Sequence, residues 1–89
     1  MHYFTYVLQS EKDYSYYIGF TSHLQKRIRQ HNSGTSRYTS KHLPYKLVYY
    51  EKFKTKEEAL EREKYFKSGE GRKYFLKILS TRSETGRPR

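Results

Sequence analysis

Glu63 stands inside the apolar stripe of a helix-like segment, an expensive place for a carboxylate. At about 100° per residue, Ala59, Leu60 and Phe66 define that stripe, and Glu63 falls between Ala59 and Leu60. Glu57, Glu58 and Glu61 fall on other sides. A carboxylate on a buried face needs a counter-ion or a metal. Two readings stay open: a salt bridge, for instance to Arg27, or a Mg²⁺ ligand. One carboxylate without cysteines or a His-x-x-x-His pair does not make a zinc site. Mg²⁺ takes one or two carboxylates and completes its octahedron with waters and substrate phosphate. Glu51, in a strand-like segment, is the rival acid.

A phosphate site also needs cations and proton-handling groups. On the wheel of an earlier helix, Leu24 and Ile28 mark the apolar stripe, Arg27 borders it, and His31 lies between Leu24 and Arg27. Arg27 and His31 therefore point the same way, toward the rest of the fold. Read by that helix alone, they are a snorkelling arginine and a satisfied, half-buried histidine. Tyr6 and Tyr17 are strand tyrosines, ordinarily packing residues. A phenol, with a pKa near 10, is a poor base unless cations stabilise the phenolate. Gly19 is either a strand-end bulge or a place where backbone or phosphate must come close.

The elements that must position these groups follow from the pattern of the chain. Tyr3 to Gln9 reads as a strand, with Phe4, Tyr6 and Leu8 on one face and Thr5 and Val7 on the other. After a polar turn, Ser15 to Phe20 reads as its hairpin partner. Thr21 or Ser22 caps a helix to about His31, ended by Asn32-Ser33-Gly34. Thr35 to Tyr45 is a basic loop, and Lys46 to Phe53 a third strand, with Leu47, Tyr49 and Phe53 alternating against Val48 and Tyr50. Thr55-Lys56-Glu57-Glu58 is a capping box that opens a helix to about Lys67. Ser68-Gly69-Glu70-Gly71 breaks it, and Arg72 to Leu79 forms a short last helix. The expectation is one α+β domain over 1–79, a three-stranded antiparallel sheet flanked by helices, with 80–89 a disordered basic tail.

Composition narrows the partner. The chain has 89 residues, no cysteine, and 19 Lys and Arg against 9 Asp and Glu, a net charge of +10. Disulfide-linked partners are excluded. So strong a basic excess points to a polyanion. The 11 tyrosines and 5 phenylalanines among the cations suit bases as well as a core. The basic residues are spread along the chain, not gathered on one amphipathic helix, which favours nucleic acid over lipid. Arg37, Lys41, His42 and Lys46 are candidate phosphate contacts, each with a solvated surface as its plain alternative. No apolar run approaches a bilayer span, and the first eight residues lack the features of a signal peptide, so a cytoplasmic address is expected.

Taken in order, these residues resemble the GIY-YIG nuclease superfamily, and its small stand-alone branch related to the N-terminal nuclease domain of the bacterial excision-repair nuclease. Thr5-Tyr6-Val7 stands at the first family motif, retaining only its tyrosine, and Tyr17-Ile18-Gly19 matches the second as written. Leu24 to Gly34 resembles the helix with the family arginine and histidine; Ala59 to Lys64 resembles the helix with the metal-binding glutamate. The resemblance spans roughly 3–79. It implies Mg²⁺- or Mn²⁺-dependent hydrolysis of DNA, with a role in repair or processing of DNA structures. Glu63 would hold the metal, Arg27 the scissile phosphate, Tyr6 or Tyr17 the attacking water, and His31 would assist. Many members carry an asparagine after the glutamate helix; here the only asparagine is Asn32, upstream. The competing expectations are a nucleic-acid-binding module that keeps the fold but cleaves poorly, and a structural adaptor. A chain without a second domain has little apparatus for sequence recognition, so specificity is expected to be low or supplied by a protein partner.

Overall fold

A strand that is apolar on both faces belongs in the middle of a sheet, and the first strand is such a strand. β1 (Tyr3–Ser10) pairs antiparallel with β2 (Tyr16–Thr21) on one side and β3 (Tyr45–Phe53) on the other, giving the order β2-β1-β3. Thr5, Tyr6, Val7 and Leu8 at its centre are fully buried. The computed structural model describes residues 1–33 and 39–85, with the backbone alone at 39–40 and 81–85.

α1 (Leu24–Asn32) covers one face of the sheet, where Leu24 and Ile28 pack with Tyr6, Leu8, Tyr17, Tyr45 and Leu47. α2 (Lys56–Lys67) and α3 (Gly69–Thr85) cover the other, where Phe66 and Phe75 pack on Val7 and Ile18. Each fully buried aromatic or aliphatic side chain of this kind contributes roughly 1.5–3 kcal/mol. Thr5, facing α2, is satisfied by donating to the Ala59 carbonyl at 2.7 Å. A 3₁₀ turn (Thr39–His42) precedes β3.

The capping box at the start of α2 is present as expected: the Thr55 hydroxyl accepts from the Glu58 N–H, and the Glu58 carboxylate accepts from the Thr55 N–H. Four local expectations are corrected. α1 is capped by neither Thr21 nor Ser22; its N-cap is His23, whose N–H is bonded to the Thr21 hydroxyl at 3.1 Å. β3 does not alternate strictly, because its register against β1 shifts between Val7 and Leu8. Val48 is the extra residue of this bulge, so Leu47 joins the α1 face while Val48 and Tyr49 both join the α2/α3 face.

The break between α2 and α3 is Ser68 alone. Its hydroxyl bridges the helices, donating to the Tyr65 carbonyl and accepting from the Gly71 N–H at 3.2 Å. Gly71 is a packing glycine: a Cβ there would collide with the Tyr65 carbonyl oxygen. α3 then continues past Leu79 to Thr85, six residues into the expected tail, and residues 86–89 lie outside the described part.

Candidate active site

Tyr6 and Gly19 are cross-strand partners on the face covered by α1. The Tyr6 phenol lies over Gly19: a Cβ at that glycine would sit 2.6 Å from the hydroxyl and 2.8 Å from the ring carbon bearing it. Gly19 is thus no bulge. It makes room for a phenol. Tyr17, two residues earlier on the same strand, faces the same way opposite Leu8.

α1 lowers His31 and Arg27 onto these phenols. His31, 1% exposed, has Nε2 at 3.1 Å from the Tyr6 hydroxyl and its ring centroid 4.7 Å from that of Tyr17. Tyr45 completes the enclosure at 6.4 Å. The Arg27 guanidinium interacts with the Tyr6 phenol and, more weakly, with Tyr17, so it holds its proton more tightly than usual. Burial pushes the Tyr6 pKa up to about 12; Arg27 opposes that rise, and the charges of Tyr17 and Glu63 add to it. His31 is shifted the other way: burial, then the Arg27 charge, hold it below its ordinary range. At neutral pH the set is a neutral phenol, a neutral imidazole and a guanidinium. The Arg27 charge acts on the Tyr6 phenol, whose hydroxyl shares a hydrogen bond with Nε2 of His31.

Glu63, on α2, acts on Tyr6 through its charge, the weakest of the influences on that phenol. Its side chain is 16% exposed, and its Oε2 accepts from Lys67 Nζ at 2.9 Å. The counter-ion suggested by the wheels, Arg27, is therefore replaced by the lysine one turn on. Lys67 shares a groove of about 340 Å³ with Tyr16, Tyr17, Ile18 and Arg72 along β2. Lys67 and Arg72 were not singled out from the sequence, although the Glu63–Lys67 spacing is that of a helical ion pair.

Glu51 is removed as a rival acid. It is bound by Arg62 at 2.7 and 3.3 Å and by the Tyr49 hydroxyl at 2.5 Å, across β3 from the phenols. Arg62 in turn lies 4.8–4.9 Å from the ring centroids of Tyr65, Phe66 and Tyr74, a structural knot between α2 and α3. Asn32 is also structural: it donates to the Tyr45 carbonyl at 2.9 Å and accepts from the Tyr45 N–H at 2.7 Å.

The three described basic candidates, Lys41, His42 and Lys46, do not gather at this site. Lys46 pairs with Gln9, on the face of α2 and α3, opposite to that of Arg27. The His42 imidazole is 2.7 Å from Asp13 of the β1–β2 turn. Hydrogen bonds from Ser15, and then from His42, hold Asp13 well below the usual carboxylate range. Lys41 is exposed beside it, and Arg37 lies outside the described residues.

The family model of the GIY-YIG catalytic domain matches residues 2–75, which takes in the whole sheet, α1, α2 and the start of α3. That match defines the class as a nuclease domain, and the chain belongs to the GIY-YIG family. Within it, the similar proteins are UPF0213 proteins. That of Bacillus licheniformis is 51% identical over 67 residues, covering 74% of this chain and 67% of the relative. That of Clostridium perfringens is 43% identical over 81 residues, covering 90% and 85%. The solution structure of the UPF0213 protein BH0048 from Bacillus halodurans superimposes with a TM-score of 0.55 at 29% identity, covering 93% of this chain and 97% of that one. The three-stranded antiparallel sheet with three helices is the α+β fold expected from the sequence. Among the described residues, no helix is long and apolar enough to cross a membrane.

Proposed function

We propose that this protein is a metal-dependent DNA endonuclease that hydrolyses phosphodiester bonds. The observation that supports it best is the convergence of Arg27 on the phenols of Tyr6 and Tyr17 above Gly19, with the Glu63 carboxylate near enough to act on Tyr6.

Glu63 suits a hard divalent cation. It is a largely buried carboxylate bonded to an exposed ammonium. No group of three His, Cys, Asp or Glu side chains surrounds it among the described residues. One carboxylate with open sides fits Mg²⁺ or Mn²⁺, which keep waters and take phosphate oxygens, and does not fit zinc. Glu63 would hold such a cation, which would supply Lewis-acid stabilisation of phosphate charge when bound.

The remaining roles follow from the protonation states. Arg27 is a fixed cation placed to bind a phosphate oxygen and to stabilise the charge that builds there. Tyr6, with a pKa of about 12, stays a neutral phenol and serves as a positioning group between Arg27 and His31. His31 is sealed from solvent, so it fixes Tyr6 through their shared hydrogen bond and does not itself meet substrate. The water-orienting phenol is then Tyr17, half-buried, in reach of Arg27 and lining the groove with Lys67 and Arg72. The part played in repair or processing of DNA structures rests on the resemblance to the excision-repair domain.

The Glu63–Lys67 ion pair is the one observation that favours the alternative, a nucleic-acid-binding module with little cleavage. A nicking assay on single-stranded, duplex, flap and branched DNA separates the two. Cleavage with Mg²⁺ that stops with chelator supports the nuclease. Salt-dependent binding of every substrate without cleavage of any supports the module.

A further inference from the structure

α1 does not cover the whole of its face of the sheet. Its apolar residues pack over Tyr6, Leu8, Tyr17, Tyr45 and Leu47. Phe4 and Tyr50, on the same face, belong to neither core cluster. Their rings meet edge to face at 5.9 Å, and Tyr50 is 49% exposed. Tyr50 is the cross-strand partner of Tyr6, so it stands about 5 Å from the phosphate-site tyrosine along the rung. Lys52, the partner of Phe4, is exposed on the same face, and Thr21 completes the row from β2. A large exposed phenol beside a cation, on the same rung as the tyrosine on which Arg27 acts, has the chemistry of a nucleotide subsite: a face for the base and charge for the backbone.

We infer that the Phe4–Tyr50 pair is a stacking platform for an unpaired base of the DNA strand held at Arg27, with Lys52 contacting its phosphate backbone. The inference rests on the nucleic-acid reading above and adds a preference for substrates with an unpaired nucleotide beside the scissile bond. A stacked base in intact duplex cannot present its face to Tyr50; a base in a single strand, flap or bulge can. Charge complementarity selects the occupant, since the chain carries +10. A protein partner docked on an aromatic pair would leave the adjoining lysine and arginine unanswered.

The test is binding measured by fluorescence anisotropy in chelator, so that no cleavage enters it. The probes are a single-stranded thymine oligonucleotide, the same oligonucleotide with abasic positions, and a blunt duplex. Tyr50→Ala should weaken binding of the thymine strand at least about fivefold, the lower end of one base–aromatic stack. It should leave the duplex and the abasic strand unchanged, and Tyr50→Phe should restore affinity. Lys52→Ala should lower the salt dependence of single-strand binding by about one phosphate contact. Wild-type affinity of Tyr50→Ala for the thymine strand, or an equal loss on all three probes, overturns the platform. Either result leaves the nuclease reading standing if the unaltered protein still cleaves. Conversely, a protein that shows the Tyr50 effect but never cleaves keeps the platform and loses the nuclease.

Discussion

The hydroxyl of Tyr6 occupies the space that a side chain at Gly19 would fill, with 2.6 Å left for a Cβ. Tyr6 is fully buried and held between Arg27 and His31, so it has nowhere to retreat. Gly19→Ala should therefore destabilise the protein by about 1–3 kcal/mol, the usual range for overpacking. It should also push the phenol off Arg27 and reduce cleavage. Urea unfolding and a nicking assay measure both, and an unchanged midpoint would show that the contact is loose.

His31 offers a test of the buried network by pH. Burial and the Arg27 charge lower its folded-state pKa below the unfolded value of about 6.5. The unfolded chain then binds more protons in that window, so this histidine's contribution is whole above about pH 6.5. It is lost as pH falls through the folded pKa. In an NMR titration the His31 ring should show a midpoint below about 6.5. A midpoint above it would mean that the imidazole carries charge in the fold, and a neutral histidine beside Tyr6 would be wrong.

Lys67→Ala separates counter-ion from scaffold. The pair is a helical i,i+4 contact with an exposed ammonium, so its removal should change stability by no more than about 0.5 kcal/mol. Without the ammonium competing for Oε2, Glu63 should bind Mn²⁺ more tightly, by several-fold in a paramagnetic titration. Weaker Mn²⁺ binding would mean that Lys67 helps to build the site.

Asn32 ties the end of α1 to the start of β3 through both backbone groups of Tyr45. Asn32→Ala leaves a donor and an acceptor of Tyr45, a buried residue, without those bonds. A loss of about 2 kcal/mol is expected by chemical denaturation. A larger loss of cleavage than of stability would give this asparagine a role beyond the clamp.

Much of this fold could be read from residues whose local pattern agrees with their tertiary use. The apolar alternation of Tyr3 to Gln9, the Thr55 capping box and the hairpin are of that kind. So is the burial of Glu63, whose place in an apolar stripe agrees with a side chain only 16% exposed. The bulge at Val48 could not be read, because Leu47, Val48 and Tyr49 are apolar in any register and only β1 decides which faces which helix. The length of α3 was missed for a different reason. Ser80 to Thr85 lacks apolar residues but also lacks glycine and proline, so a helix already formed propagates through it. The pairing of His42 with Asp13, across 29 residues, leaves no mark on either segment.

The central claim is that Glu63 is the metal-holding carboxylate of a DNA-cleaving site, and Glu63→Gln tests it most directly. The substitution keeps size and polarity and removes the charge. Cleavage of branched DNA in Mg²⁺ should fall at least about a hundredfold, in line with loss of a group that stabilises transition-state charge, while DNA binding in chelator stays as in the unaltered protein. Cleavage at the unaltered rate by Glu63→Gln would contradict the account.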